Sequence, residues 1–401
     1  MKETPTIVID ARWITPTPSG IGVYTRELIR RLPAAEPDWK WHLLFKDDKV
    51  RKDVIADCGF ENNPKVTAEL LPYGIFSPKG QLLLPAKLRK IGCDLFHSTN
   101  FMIPYLAFGS PMSIFSNNGP KDKNCGVCVT NIHDVIPLIL REYAPRSKTS
   151  RMLWLYRACL RNAIRFSKAT ITGSESARKD LCNSLNLSID QREKVKTIYD
   201  GVSERFTEKE PESAPSDTKV VLYVGRLDPY KNVPELVDAF AQVFHKSDKK
   251  LHLLIVGPYD ARYPEARQHA YNRGISENVT FLHDASDNEL LDAYKTATVL
   301  VNPSLYEGFG LPMLEAMKCG TPVICADGGS QREISGGAAE VVPPSDGPAL
   351  VAALEKVLSS KETRDAMTQK GLKRAAEFTW DRTVRQTLEV YRSALGMEAK
   401  E

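Results

Sequence analysis

The sequence predicts an α/β protein made of two doubly wound, parallel-sheet domains that face a central cleft. Three observations carry that expectation. Short apolar runs alternate with helix-like stretches along most of the chain, the pattern of strands joined by crossover helices. A length of 401 residues exceeds one ordinary compact domain and suits two or three. Residues 208–218, rich in Glu, Pro and Ser and without periodicity, separate one α/β series from the next as a linker or long surface loop.

The elements follow in order. In the first series the strand candidates are residues 6–10, 42–45, 94–97, 128–132, 169–172 and 195–199, with helical patterns at 21–32 and 153–166 among them. In the second they are 220–224, 251–256, 279–282, 299–302 and 322–325. A last helix is expected over about 381–395. The domains read as 1–200 and 201–380, with 381–401 returning to the first. Ligands of such folds bind outside the carboxyl ends of the strands, so the facing cleft is the expected site.

Composition narrows the function classes. At 42% hydrophobic and 26% charged residues the chain is an ordinary soluble globular one, and no apolar run is long enough to span a membrane. Eight scattered cysteines form no disulfide framework, and no secretory signal is evident, so a reducing cytoplasm is expected. Residues 1–200 hold 30 Lys and Arg against 20 Asp and Glu, while residues 201–401 hold 24 against 30. A basic half suits an anionic membrane surface or a phosphate-bearing substrate. No nucleic-acid signature is found.

Four constellations carry chemistry. In Glu307-Gly308-Phe309-Gly310-Leu311-Pro312 followed by Glu315, the strand at 299–302 leads into a loop and then a helix. Pro312 suits the first helical position and Gly320 the left-handed stop, which puts Glu307 in the loop and Glu315 in the first turn. Glycines let the backbone approach a ligand, and a helix start attracts a diphosphate. The carboxylates would then accept from sugar hydroxyls; otherwise Glu315 complements the helix dipole and Glu307 is solvated. Arg226 and Lys231 flank the turn after residues 220–224, where a guanidinium and an ammonium match a diphosphate's charge, unless both are merely solvated. Gly20 and Gly22 follow the first strand in a phosphate-friendly turn that lacks the full dinucleotide fingerprint. His133, with Asp134, ends the strand at 128–132 at the cleft mouth, or is a core-edge histidine bonded to backbone. Cys125 and Cys128 have no second ligand pair at suitable spacing, so no metal site is expected. Residues 151–168 form a basic amphipathic helix, suited to packing on a sheet or lying on a membrane.

Together with Asp10-Ala11-Arg12, Thr172-Gly173-Ser174-Glu175-Ser176, Tyr199-Asp200-Gly201-Val202 and Phe378-Thr379-Trp380, these pieces resemble family 4 of the retaining glycosyltransferases, closest to the bacterial O-antigen mannosyltransferase branch. The resemblance implies the GT-B fold: two Rossmann-like domains and a C-terminal helix that crosses back to the first. It implies that Arg226 and Lys231 hold the donor diphosphate, Glu315 the ribose, and Glu307 with Gly308, Phe309 and Gly310 the donor sugar. Leu311 N–H would join the phosphate cradle, His133 would contact the sugar near its C6 hydroxyl, and Gly20 and Gly22 would close on the diphosphate. The base would lie beside the loop after 279–282. The segment 109–126 is longer than that branch usually carries and reads as an acceptor-side hairpin.

The implied reaction moves a hexose, mannose from GDP-mannose by that resemblance, to a saccharide or polyprenyl-diphosphate-linked acceptor in bacterial surface polysaccharide synthesis. A UDP-sugar donor, a nucleotide-sugar epimerase and an inactive sugar-nucleotide-binding protein are the rival readings. Neither cofactor nor metal is expected. Same-face departure of the nucleoside diphosphate leaves the protein mainly to stabilise charge growing on phosphate. The expected location is the cytoplasm, with peripheral contact at the inner face of the cell membrane.

Overall fold

The structure is a computed structural model that describes residues 4–16, 19–108, 125–143, 152–208, 218–248 and 250–398. Most of the segment 109–126, residues 209–217 of the linker region and Arg151 lie outside these residues.

The first series builds β1 (Thr6–Asp10), β2 (Lys40–Phe45), β3 (Val66–Leu70), β4 (Leu95–Ser98), β5 (Val127–Asn131), β6 (Ala169–Thr172) and β7 (Val195–Thr197). They form one sheet in the order β3-β2-β1-β4-β5-β6-β7. The second builds β8 (Thr218–Val224), β9 (Lys250–Val256), β10 (Val279–Leu282), β11 (Val299–Asn302), β12 (Val323–Ala326) and β13 (Glu340–Val342), in the order β10-β9-β8-β11-β12-β13. Every described strand pair is parallel. Strands β1, β4, β6, β11 and β12 are buried at every position, as strands covered by helices on both faces must be.

The strand order reverses on either side of β1 and of β8. The two crevices where ligands bind therefore open between β1 and β4 and between β8 and β11. The loops that leave β1, β8 and β11 carry the glycine, cationic and acidic residues singled out above, and His133 follows the neighbouring β5.

Two edge strands were not anticipated. In β3 the run Val-Thr-Ala-Glu-Leu is only partly buried, and β13 has three residues, so neither shows a sustained apolar signal.

The helix Trp380–Leu395 does cross back. Trp380, Val384, Leu388 and Tyr391 join the same core cluster as Ile7, Tyr24 and Leu28 of the first domain. The Tyr391 hydroxyl lies 2.5 Å from His97 Nδ1, and Arg392 pairs with Glu36. The two chain crossings between domains run side by side, since Val202 N–H donates to the Phe378 carbonyl at 3.0 Å. This is the GT-B arrangement.

Candidate functional site

Loops after β8 and β11 bring Lys231 and Glu307 together. A short 3-10 turn, Pro229–Lys231, ends at Asn232 in the left-handed conformation before the helix Val233–Lys246. The Leu305 N–H donates to the Tyr230 carbonyl at 2.7 Å, tying this turn to the β11 loop. Lys231 Nζ then donates to both Glu307 oxygens, at 2.8 and 2.9 Å. Ser304 Oγ, itself 2.7 Å from Asn302 Oδ1, sits 2.6 Å from Glu307 Oε1. Burial works against the Lys231 charge, but Glu307, Tyr230 and Tyr223 outweigh it and raise its pKa above the ordinary lysine range.

Arg226 is more than half exposed, and its Nε lies 2.8 Å from Asp228 Oδ2, a carboxylate that is itself buried. A fixed anion thus holds the guanidinium at the crevice mouth while leaving donor capacity free for a second anion.

Glu315 corrects one expectation. The helix runs Leu311–Lys318, so Pro312 is its second residue and Glu315 its fifth, one residue further in than expected and just past the first turn. The cause is Gly310, whose φ of +98° makes it the cap residue and starts the helix at Leu311. Glu315 Oε2 accepts from the Tyr294 hydroxyl at 2.6 Å, and burial raises its pKa. No hydrogen bond or ion pair joins it to Lys231 or Glu307 among the described residues. The Leu311 N–H has no acceptor among the described residues, as the start of a helix leaves it.

The donor loop touches the first domain. A Cβ on Gly308 would lie 2.7 Å from the His133 carbonyl oxygen and 3.0 Å from Asp134 Cβ, so only glycine lets the loop approach this closely. The Gly308 carbonyl accepts from Ser174 Oγ at 2.6 Å. Phe309 is buried between Tyr199 and Phe378, with ring centroids 6.3 and 5.9 Å away.

His133 Nε2 donates to the Thr99 carbonyl at 2.9 Å, which leaves Nδ1 as the lone-pair nitrogen. Burial lowers its pKa, so the ring is neutral near pH 7. Burial also raises the Asp134 pKa, Glu307 adding to the shift and Lys231 opposing it.

Gly20 and Gly22 lie in the first turn of the helix Gly20–Ala35, not in the loop before it. Ser19 caps that helix by accepting from Gly22 N–H at 3.1 Å, so this N–H is already engaged. Gly20 meets nothing within 4 Å, which keeps its surface open. The same helix reaches His133 through Tyr24, whose ring lies edge-on at 5.1 Å. Arg12 is held in a buried two-pronged pair with Asp10 at 2.7 and 2.6 Å and is a structural cation.

The loop after β10 carries His283, whose Nδ1 lies 3.0 Å from the Gly257 carbonyl and whose Nε2 lies 2.7 Å from Arg267 Nη2. The pairing roles of Ser304, Asn302, Asp228 and Tyr294 were not anticipated. Tyr294 meets Glu315 across 21 residues, while Asn302, Ser304 and Asp228 pair with neighbours two or three residues away, inside loops whose side-chain directions no hydrophobic periodicity records.

Two parallel-sheet domains facing one another across a crevice define the GT-B fold, and two family models that together span residues 18–374 place the chain among the glycosyltransferases. Residues 18–206 match Glycosyltransferase Family 4, and residues 204–374 match Glycosyl transferases group 1. The chain is 27% identical over 391 residues to O-antigen chain mannosyltransferase B of Escherichia coli, covering 93% of this chain and 96% of that one. It is 32% identical over 209 residues to a D-inositol 3-phosphate glycosyltransferase of Corynebacterium glutamicum, covering half of each chain. Among solved structures, sucrose-phosphate synthase from Thermosynechococcus elongatus superposes with a TM-score of 0.76 at 21% identity, covering 98% of this chain and 99% of that one. HepE of Anabaena, solved with UDP and glucose, superposes with a TM-score of 0.72 at 18% identity, covering 97% of this chain and all of that one. No helix among the described residues is long and apolar enough to cross a membrane.

Proposed function

We propose that this chain is a retaining hexosyltransferase that moves mannose from GDP-mannose to a saccharide or polyprenyl-diphosphate-linked saccharide. One observation carries the transfer chemistry: the Lys231–Glu307 pair sits in the crevice beside Gly308, which packs on His133 of the opposite domain. Similarity to a mannosyltransferase across 93% of the chain supports the choice of sugar.

In this reading Arg226, Lys231 and the Leu311 N–H hold the donor diphosphate, and Glu315 holds the ribose. Binding of the anion draws Lys231 toward phosphate and frees Glu307 oxygens to accept from sugar hydroxyls. Neutral His133 offers Nδ1 to the sugar. As the glycosidic bond breaks, negative charge grows on the leaving phosphate, where the fixed cations stabilise it more strongly than in the ground state. The same phosphate takes the acceptor's proton on the face from which it departs, so configuration is retained.

A product assay over GDP-mannose, UDP-glucose, UDP-galactose and UDP-N-acetylglucosamine, with the anomer read by NMR, tests this. Transfer from a UDP-sugar alone would refute the donor, and an inverted product would refute the mechanism. Consumption of donor without an acceptor would point to an epimerase instead.

The acceptor reading places the first domain against an anionic membrane at the inner face of the cell membrane. Exposed Leu82 and Leu83 on the basic helix Pro78–Ile91, with exposed Trp154 on the basic helix Leu153–Phe166, support it. Vesicle sedimentation should show binding to anionic but not neutral lipid; equal binding to both, or to neither, would sink the idea.

A further inference from the structure

One carboxylate of the second domain is held by three donors of the first. Glu333, on the short helix Gln331–Ser335, accepts from the Glu175 N–H at Oε1 (2.8 Å) and the Ser176 N–H at Oε2 (2.8 Å). The Tyr199 hydroxyl donates to Oε1 as well, at 2.9 Å. The two N–H groups are the first of the helix Glu175–Ser184, where no carbonyl of that helix can accept them and where the dipole favours a negative charge. Hydrogen bonds to an ionised acceptor are also the stronger kind.

The contact lies beside the chemistry. Ser174 caps the same helix, accepting from Ala177 N–H at 3.0 Å, and donates to the Gly308 carbonyl at 2.6 Å. Gly308 follows Glu307 directly and rests on His133. One helix end therefore grips the second domain twice: through Glu333, and through the loop that carries Glu307. The Tyr306 hydroxyl adds a third crossing to Asp180 of the same helix at 2.7 Å.

We propose that Glu333 is a positioning residue: its bonds to the Glu175–Ser184 helix latch the domains in the geometry that sets Glu307 and Lys231 against His133. It touches neither the pair nor the His133 ring. Nucleotide binding, which resides in the second domain, should survive its loss, while turnover should not. The proposal rests on the transfer reading above for its effect on rate, but its effect on domain geometry does not depend on that reading.

The substitutions separate the latch from general damage. Glu333→Ala removes the carboxylate. Glu175→Pro removes one donor N–H at the first helical position, where proline is tolerated and where the preceding Ser174 is already extended (φ −149°, ψ 159°). Glu175→Ala keeps that N–H and loses only the side chain, and so serves as the control. Glu333→Ala and Glu175→Pro should each lower kcat by roughly tenfold or more. The double variant should be no worse than Glu333→Ala alone, because the one bond that Glu175→Pro removes is among the three that Glu333→Ala removes. The Kd for GDP and UDP should stay within about twofold of wild type. Small-angle scattering of the nucleotide-bound chain should show a larger radius of gyration for both variants, and Glu175→Ala should match wild type in every measurement. Wild-type scattering profiles for Glu333→Ala and Glu175→Pro would overturn the latch whether or not any donor is turned over. Equal losses in Glu175→Ala and Glu175→Pro would overturn it too.

Discussion

Replacing Lys231 with methionine keeps most of the apolar stem and removes the charge, which leaves Glu307 as an uncompensated anion. The pair spans 2.8 and 2.9 Å, and its side chains are only 16% and 11% exposed, so water replaces little of what is lost. Breaking a buried pair from one side costs about 3–5 kcal/mol, because the remaining charge stays desolvated. Lys231→Met should fall near the lower end, since Ser304 Oγ still reaches Glu307. Adding Glu307→Gln removes the stranded charge, and the double variant should return to within about 1 kcal/mol of wild type. Activity should behave differently. Lys231→Met should lose roughly 10²–10³ in turnover, the scale for removing a transition-state charge partner, and the double variant should not recover it. The folded pKa of Lys231 is raised, so its contribution is present in full below the unfolded lysine value of about 10.4 and fades only as pH climbs beyond that. Urea unfolding at pH 7 and initial transfer rates on wild type, both singles and the double make the cycle. Additive stabilities, or a near-wild-type rate for Lys231→Met, would refute the reasoning.

Three further outcomes are expected. Gly308→Ala places a methyl 2.7 Å from the His133 carbonyl, and forcing that contact costs about 1–3 kcal/mol; transfer should fall about tenfold or more while GDP still binds, as titration calorimetry would show. Asp200 is buried with Oδ1 unpartnered, and burial pushes its pKa up to about 7. The folded chain therefore holds this proton more tightly than the unfolded chain, and stability falls as pH rises from about 4 to 7. Asp200→Asn cannot ionise and should gain up to about 4 kcal/mol over wild type at pH 8, with the gain gone at pH 4; an equal gain at both pH values in urea unfolding would remove charge from the explanation. Transfer should persist in EDTA, because Arg226, Lys231 and a helix start supply the phosphate contacts; activity restored only by a divalent ion would show that this clamp is misread.

The architecture was legible because it is written in local patterns. Strands β1, β6, β10 and β11 fall where their apolar runs begin and end, and the helix Leu153–Phe166 matches its 3.6-residue periodicity at both ends. The loops of Arg226, Lys231 and Glu307 could be placed because each follows a recognisable strand. Where the local signal weakened, placement shifted: Glu315 moved one residue inward, out of the first turn, and Gly20 and Gly22 proved to be helical.

The sequence by itself determined the two parallel-sheet domains, their order, and which strand ends carry cations, carboxylates and glycines, since those depend on residues a few positions apart. Only the tertiary structure decided who meets whom. Lys231 pairs with Glu307 across 76 residues, Tyr294 claims one oxygen of Glu315, and Glu333 reaches the Glu175 N–H across 158 residues. Hydrogen bonds and ion pairs act over about 3 Å, and that proximity is created by packing two sheets and closing two domains, not by any spacing along the chain.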